Sequence, residues 1–159
     1  MPPSPQVGDA APTFSVPRHD GRTVALADLK GRNAVLFFFP KSDTSGCTKE
    51  ALAFSALRSA FDAANTAILG VSGDPPKMQA KFRDKYKLDL AFAADEQHEI
   101  LQPYGVWVEK SMYGRKYWGV ERATFLIDRE GKIARIWRNV KVPGHAEEVL
   151  VAAKELNRK

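Results

Sequence analysis

The single cysteine of the chain, Cys47, is the residue type best suited to chemistry. It follows an unbroken apolar run, residues 34–39, a proline and a short polar segment, at the start of a predicted helix. The first turn of a helix presents free backbone N–H groups and a partial positive charge, which favour a thiolate over a thiol. A thiolate in such a place is a candidate nucleophile. The alternative is a small buried apolar residue, as most lone cysteines are, and it stays open at this point.

Length and composition limit what this cysteine can do. The chain has 159 residues, of which 44% are hydrophobic and 27% charged. We therefore expect one domain over residues 1–159, opened by a loosely held, proline-rich arm at residues 1–12. One cysteine cannot form an internal disulfide or a metal site built on paired thiolates. No segment resembles a secretory signal or a membrane span, so we expect a cytoplasmic protein without membrane contacts.

The net charge of +5 raises the question of nucleic acid. The basic residues are scattered, however, and those at positions 81, 83, 85 and 87 alternate with other types, as on the solvated face of a helix. We expect no nucleic-acid partner. We also expect no metal, because His19, His98 and His145 lie far apart without cysteine or carboxylate companions, and they suit ordinary surface or capping roles.

Alternating strand and helix patterns must position the cysteine. In chain order, the pattern predicts a hairpin (13–16 with 23–26), a central strand (34–39), a helix (47–64), a strand (67–72), a helix N-capped by Asp74 and a short strand (90–93). This alternation predicts a largely parallel sheet covered by helices.

The second half of the chain differs in character. A short helix is predicted at residues 99–104, and residues 105–119 have no clear period and are expected to form an ordered surface loop. A glycine-containing turn between residues 123–127 and 133–137 predicts an antiparallel hairpin. Apolar residues at helical spacing, from Val149 to Leu156, predict a closing helix.

Three motifs in this order resemble peroxiredoxins: Val-Gly-Asp-Ala-Ala-Pro-Thr-Phe at residues 7–14, the spacing Pro40-x-x-x-Thr44-x-x-Cys47, and Arg-Ala-Thr-Phe-Leu-Ile-Asp at residues 122–128. The segments at residues 39–41, 46–48 and 105–107 are similar to the bacterioferritin comigratory protein, or peroxiredoxin Q, branch. The resemblance implies an α/β, thioredoxin-like fold, with a central mixed sheet flanked by helices and an N-terminal β-hairpin. It implies no cofactor.

The resemblance also implies that Cys47 is the peroxidatic cysteine of a thiol-dependent peroxidase in antioxidant defence. Its thiolate would attack hydrogen peroxide or an alkyl hydroperoxide and become a sulfenic acid. Thr44 is expected to donate a hydrogen bond that orients sulfur and peroxide, and Pro40 to shield the pocket from water. Arg122 is expected to stabilise the thiolate and the separating oxygens. If the strand that Arg122 opens runs antiparallel to residues 37–39, its guanidinium lies near the nucleophile.

Each of these residues also has a simpler interpretation. Thr44 could only cap the helix, Arg122 could be a solvated charge at a strand end, and Pro40 could only end a strand. Glu50 could pair with Arg122, although an acid that complements the dipole of its helix is the simpler hypothesis.

The chain departs from the resemblance at three positions. Leu52 and Arg83 stand where other members of the branch carry a second, resolving cysteine, and Ser45 replaces a common proline. We therefore expect a one-cysteine enzyme, recycled by thioredoxin, glutaredoxin or a small thiol. The branch implies a monomer or weak homodimer.

Two other functions remain open. One is a peroxide-sensing relay that passes its oxidation to a partner with little turnover. The other is a thiol–disulfide oxidoreductase, which usually needs a second cysteine where Thr44 stands.

Overall fold

A five-stranded sheet in the order β5-β4-β3-β8-β9 forms the centre of the protein. The structure is a computed structural model that describes residues 4–157. The strands are β1 (Ser15–Pro17), β2 (Thr23–Ala25), β3 (Asn33–Phe38), β4 (Thr66–Ser72), β5 (Ala91–Ala94), β6 (Trp107–Met112), β7 (Arg115–Val120), β8 (Ala123–Ile127) and β9 (Ile133–Trp137). The helices are α1 (Ser45–Ala56), α2 (Arg58–Ala63), α3 (Pro76–Tyr86) and α4 (His145–Leu156).

The middle strand, β3, is buried along its whole length. It runs parallel to β4 and antiparallel to β8, and β8 pairs in turn with β9. The mixed sheet, the N-terminal β1–β2 pair and the late hairpin are therefore confirmed. The register sets Phe38 opposite Ala123. The residue before Ala123, Arg122, thus lies beside the carboxyl end of β3.

The two faces of the sheet are covered differently. Phe37 and Phe39 point into an apolar core that all four helices share, whereas Phe38 points into a second core formed with the N-terminal hairpin and residues 100–106. Phe37 stacks on Phe54 of α1, with ring centroids 4.7 Å apart. This aromatic contact fixes the helix that carries Cys47 against the central strand.

The boundaries of the helices differ from the sequence-based expectation. The helix predicted over residues 47–64 is two helices, because Leu57 leaves the helical region with φ −99° and ψ 7°. The next helix has Pro75, not Asp74, at its N-cap. The carboxylate of Asp74 is engaged elsewhere, since its Oδ2 accepts hydrogen bonds from the backbone N–H and the hydroxyl of Ser42.

Two predictions for the second half were wrong. Residues 105–119 contain the β6–β7 hairpin, whose two-residue turn uses positive φ angles at Tyr113 (+52°) and Gly114 (+78°), as tight hairpin turns require. Residues 99–104 form successive turns rather than a helix. The carboxylate of Asp95 accepts three backbone N–H groups from residues 99–101 and so holds this segment.

The proline-rich arm is held more firmly than its composition suggested. The N–H groups of Gly8 and Ala11 donate to the carbonyls of Ile133 and Gly131, each at 2.8 Å, so that residues 8–11 line the start of β9. The first part of the predicted arm, residues 1–3, lies outside the described residues. Within residues 4–157, no helix is long and apolar enough to cross a lipid bilayer.

Candidate active site

Cys47 is the third residue of α1, directly after the turn that follows β3. At that position its own backbone N–H is one of the first four in the helix, which have no partner within the helix. Its side chain is 1% exposed and belongs to the core beneath the helices. Burial alone would fit a packing role. One polar group, the Arg122 guanidinium, also meets the sulfur, which a purely apolar packing role does not require.

Arg122 brings a positive charge to the sulfur. Its Nη2 donates a hydrogen bond to Cys47 Sγ at 3.2 Å, and its Nη1 donates to Glu50 Oε1 at 2.7 Å. The Arg122 side chain is 18% exposed, so it does not match the solvated strand-end charge considered from the sequence. Because both terminal nitrogens of the guanidinium are hydrogen-bonded, it cannot rotate away from the sulfur as a free side chain could.

Glu50 is the acid that fixes the guanidinium, and it is 1% exposed. The simpler hypothesis, a first-turn acid that complements the helix dipole, does not hold, because Glu50 is the sixth residue of α1. The alternative ion pair with Arg122 is present. Burial raises the pKa of Glu50 to about 7, against the lowering effect of the Arg122 charge and hydrogen bond. Its Oε2 has no hydrogen-bond partner among the described residues. One guanidinium thus faces two groups that can each be an anion.

Thr44 is the N-cap residue of α1, yet its side chain makes no capping bond. The hydroxyl donates instead to the carbonyl of Lys41 at 2.8 Å. The Thr44 proton is thereby occupied, while the oxygen keeps its capacity to accept a hydrogen bond. Pro40 lies two residues after the end of β3 and is half-buried at the start of the segment that leads to Cys47.

Two aspartates hold this segment: Asp43, which the sequence did not single out, and Asp74, which the sequence predicted only as a helix N-cap. Asp43, at a φ of +61°, accepts hydrogen bonds from Tyr86 Oη at 2.5 Å and Lys85 Nζ at 2.8 Å. Asp74 accepts from Ser42 at 2.8 Å (backbone N–H) and 2.7 Å (hydroxyl). In the sequence, only the residue type at position 43 could have indicated this turn, because aspartate tolerates the left-handed conformation better than most residues.

His145 is buried rather than at the surface. Its Nε2 lies 2.8 Å from the hydroxyl oxygen of Thr124, and burial lowers its pKa, so it stays neutral near pH 7. Its ring meets Phe54 and Trp137 edge to face. Within residues 4–157, no group of three metal-ligating side chains converges. The groups that meet at the site are the Cys47 sulfur, the Arg122 guanidinium and the Glu50 carboxylate.

Comparison with known proteins adds a sequence relationship. The profile of the AhpC/TSA family matches residues 7–136. A putative peroxiredoxin bcp of Coxiella burnetii is 44% identical over 145 residues, which cover 91% of this chain and 96% of that protein. Peroxiredoxin Bcp of Bacillus subtilis is 38% identical over 154 residues, or 97% of this chain and 98% of that protein.

Solved structures are similar as well. A Cys-to-Ser variant of PrxQ from Xylella fastidiosa matches with a TM-score of 0.90 at 34% identity, over 94% of this chain and 96% of the other. Peroxiredoxin Q of Xanthomonas campestris gives 0.86 at 39% identity, over 89% and 90%. Structures of the Xanthomonas protein include serine variants of two different cysteines, whereas this chain has only Cys47.

Proposed function

We propose that Cys47 is the thiol that reduces the peroxide in this chain, which belongs to the AhpC/TSA family and is a peroxiredoxin, a thiol-dependent peroxidase. The observation that carries the proposal is the 3.2 Å hydrogen bond from Arg122 Nη2 to Cys47 Sγ. A guanidinium at that distance favours the anionic sulfur, which is the reactive form. The free N–H groups at the start of α1 act in the same direction.

The reaction transfers one oxygen atom to sulfur. The Cys47 thiolate attacks the terminal oxygen of the hydroperoxide, the S–O bond forms, and the O–O bond breaks. Sulfur is oxidised to a sulfenic acid, and the departing oxygen takes up a proton and leaves as water or an alcohol. Negative charge develops on that oxygen, and Arg122, held by Glu50, stabilises it without having to reorganise.

Thr44 and Pro40 complete the proposed pocket. Because the Thr44 proton is donated to the Lys41 carbonyl, its hydroxyl oxygen is free to accept a hydrogen bond from the peroxide O–H. We assign Thr44 this acceptor role in place of the donor role expected from the sequence. Pro40 has no N–H group to attract water, and its half-buried ring shields the approach to the sulfur.

The substrates we propose are hydrogen peroxide and alkyl hydroperoxides. A structural neighbour, the bacterioferritin comigratory protein of Xanthomonas campestris, is described for its alkyl peroxide reduction activity. The second substrate is an external thiol, because a chain with one cysteine cannot resolve its own sulfenic acid as an internal disulfide. Thioredoxin, glutaredoxin and small thiols are the candidates, and we propose a cytoplasmic setting, where such reductants are kept reduced.

We also propose that the activity resides in a single domain, because both apolar cores lie against one five-stranded sheet. Nothing in the mechanism requires a second copy of the chain, so a monomer or weak homodimer suffices.

A coupled assay tests the proposed function. Peroxide consumption is followed with thioredoxin, glutaredoxin or a small thiol supplied in turn, for the wild type and for Cys47→Ser. We expect turnover with at least one reductant for the wild type and none for the serine variant, with unchanged circular dichroism. Undiminished turnover by Cys47→Ser would refute the proposal. Oxidation of Cys47 without turnover under any reductant would favour a redox relay instead.

A further inference from the structure

A polar cleft of about 450 Å³ lies away from Cys47. It borders the segment before β3 and the first half of β4, whereas Cys47 follows the carboxyl end of β3. None of Cys47, Glu50 and Arg122 lines it. Five arginines do, brought together from the N-terminal hairpin, the segment before β3, α2 and α3: Arg18, Arg22, Arg32, Arg58 and Arg83.

The positive charge of this cleft is only partly neutralised. Two aspartates line it beside the five arginines, which leaves an excess of three positive charges. Arg32 and Arg58 share one of these aspartates, Asp62, at 3.3 and 3.2 Å. Arg18 lies 3.2 Å from Asp20 and Arg58 also reaches Asp89, both outside the lining.

Two of the guanidiniums have no carboxylate partner within residues 4–157. Arg22 forms no ion pair there, and Arg83 donates only its Nε, to the carbonyl of Leu90 at 2.9 Å. The terminal nitrogens of both arginines are therefore available to a ligand. The positive charge of Arg83 also reaches a buried neighbour, since the pKa of His19 is lowered first by burial and then by Arg83 and Arg18.

The floor of the cleft is apolar. It is formed by side chains of β2, β4 and the residues before β5, among them Val24, Ile68 and Leu90. The volume falls in the range of about 300–1,000 Å³ that is usual for small-molecule sites. Arginine forks are suited to phosphate, which they bind in a bidentate, charge-assisted manner. An apolar floor beneath such forks suits a ligand that has both an anionic and an apolar part.

We propose that this cleft binds a small phosphorylated organic molecule, of the nucleoside di- or triphosphate kind. Its phosphates pair with Arg22 and Arg83, and its organic part lies on the floor of β2 and β4 residues. The site is separate from the peroxidase centre, and its occupation involves no redox step. A failure of ligand binding at this cleft would therefore not affect the role proposed for Cys47, and the reverse is also true.

Isothermal titration calorimetry with ATP as the probe tests this site in the wild-type protein. Arg22→Gln and Arg83→Gln each remove one free guanidinium, and Arg22 is exposed, so that its replacement leaves the fold intact. Arg129→Gln is the matched control, because Arg129 is an exposed arginine in the β8–β9 turn, outside the cleft. All four proteins are also assayed for peroxide consumption, which we expect to be unchanged.

We expect saturable ATP binding by the wild type and by Arg129→Gln. Each cleft variant should bind at least about tenfold more weakly, since tenfold corresponds to about 1.4 kcal/mol, the scale of one charge-assisted hydrogen bond. Adenosine, which lacks the phosphates, should bind more weakly by a similar or larger factor. In NMR titrations, amide shifts should concentrate at residues 67–69 and 90–91.

Three results would overturn the proposal. The first is the absence of saturable ATP binding by the wild type. The second is an equal loss of ATP affinity in Arg129→Gln, which would indicate general charge attraction. The third is a set of amide shifts centred on Cys47 instead of the cleft.

Discussion

Arg122 and Cys47 are 75 positions apart in the chain, and strand register brings them to a 3.2 Å hydrogen bond. Ala123, the first residue of β8, pairs with Phe38, the last residue of β3. The segment that leads to Cys47 leaves the sheet at the same place. Strand pairing thus places the guanidinium beside the sulfur, and the proposed chemistry depends on that pairing.

Replacement of Arg122 by alanine should slow the reaction with peroxide on the order of 100- to 1,000-fold, as loss of one fixed donor to a developing oxyanion does elsewhere. The pH at which half of the reactivity is lost should rise, because the thiolate loses its countercharge. Stopped-flow oxidation across a pH series measures both effects. Arg122→Lys, which keeps the charge without the planar fork, should recover only part of the rate. An unchanged pH profile in the alanine variant would contradict the assigned role.

Glu50→Gln should have the opposite effect on the pH profile. The buried carboxylate competes with the sulfur for one guanidinium, so removing its charge should shift the midpoint of peroxide reactivity to lower pH. Glu130→Gln, an exposed acid in the β8–β9 turn, serves as the control. A midpoint that moves upward, or moves equally in the control, would count against the competition.

The same substitution should alter how stability depends on pH. The folded-state pKa of Glu50, about 7, exceeds its ordinary value of 4.5, so the folded state holds this proton more tightly than the unfolded state. The contribution is therefore fully present below the ordinary pKa and is lost as the pH rises through the folded pKa. Urea unfolding at about pH 5 and about pH 8 should show a smaller decline for Glu50→Gln than for the wild type.

Gly46→Ala should separate activity from stability. A Cβ at this position would lie 3.1 Å from Arg122 Nη2, closer than ordinary contact, so the guanidinium must shift. Alanine also favours a helix over glycine by up to about 1 kcal/mol. We expect slower oxidation by peroxide with unchanged or higher thermal stability, whereas Ser45→Ala, one residue earlier, should retain the rate. A full rate in Gly46→Ala would mean that the guanidinium position is not critical.

Asp74→Ala should loosen the segment that leads to Cys47. It removes the acceptor for two groups of Ser42, and an unsatisfied buried group costs about 1–3 kcal/mol. Amide hydrogen exchange across residues 42–47 should accelerate and peroxide oxidation should slow. Asp84→Ala, an exposed acid on α3, is the comparison. Equal exchange in the two variants would show that Asp74 does not hold the segment.

The strands could be predicted well because burial leaves a direct pattern in the sequence. The apolar run before Pro40 gave the central strand, and β8 and β9 have the predicted ends. The β6–β7 hairpin escaped prediction because it is a separate two-stranded sheet, largely exposed on both faces, so its residues show no alternation. The attachment of the N-terminal arm was not predicted, because the arm is held by backbone hydrogen bonds. Such bonds leave no pattern in the types of the side chains.

The proximity of Arg122 to Cys47 was predictable, because it follows from the antiparallel pairing of two strands that apolar runs reveal. The burial of Glu50 was not predictable, because a helix predicted to begin at Cys47 places this acid in its first turn, where the helix dipole already explains it. The hydrogen bond from Thr44 to Lys41 and the anchoring of Ser42 by Asp74 depend on loop geometry that no spacing rule describes.

Intact-protein and peptide mass spectrometry after one equivalent of hydrogen peroxide shows whether Cys47 is the residue that takes up the peroxide oxygen. We expect that one oxygen atom is added, that it resides on Cys47, and that it is removed again by an added thiol. Peroxide consumed at the normal rate while Cys47 remains an unmodified thiol would contradict it.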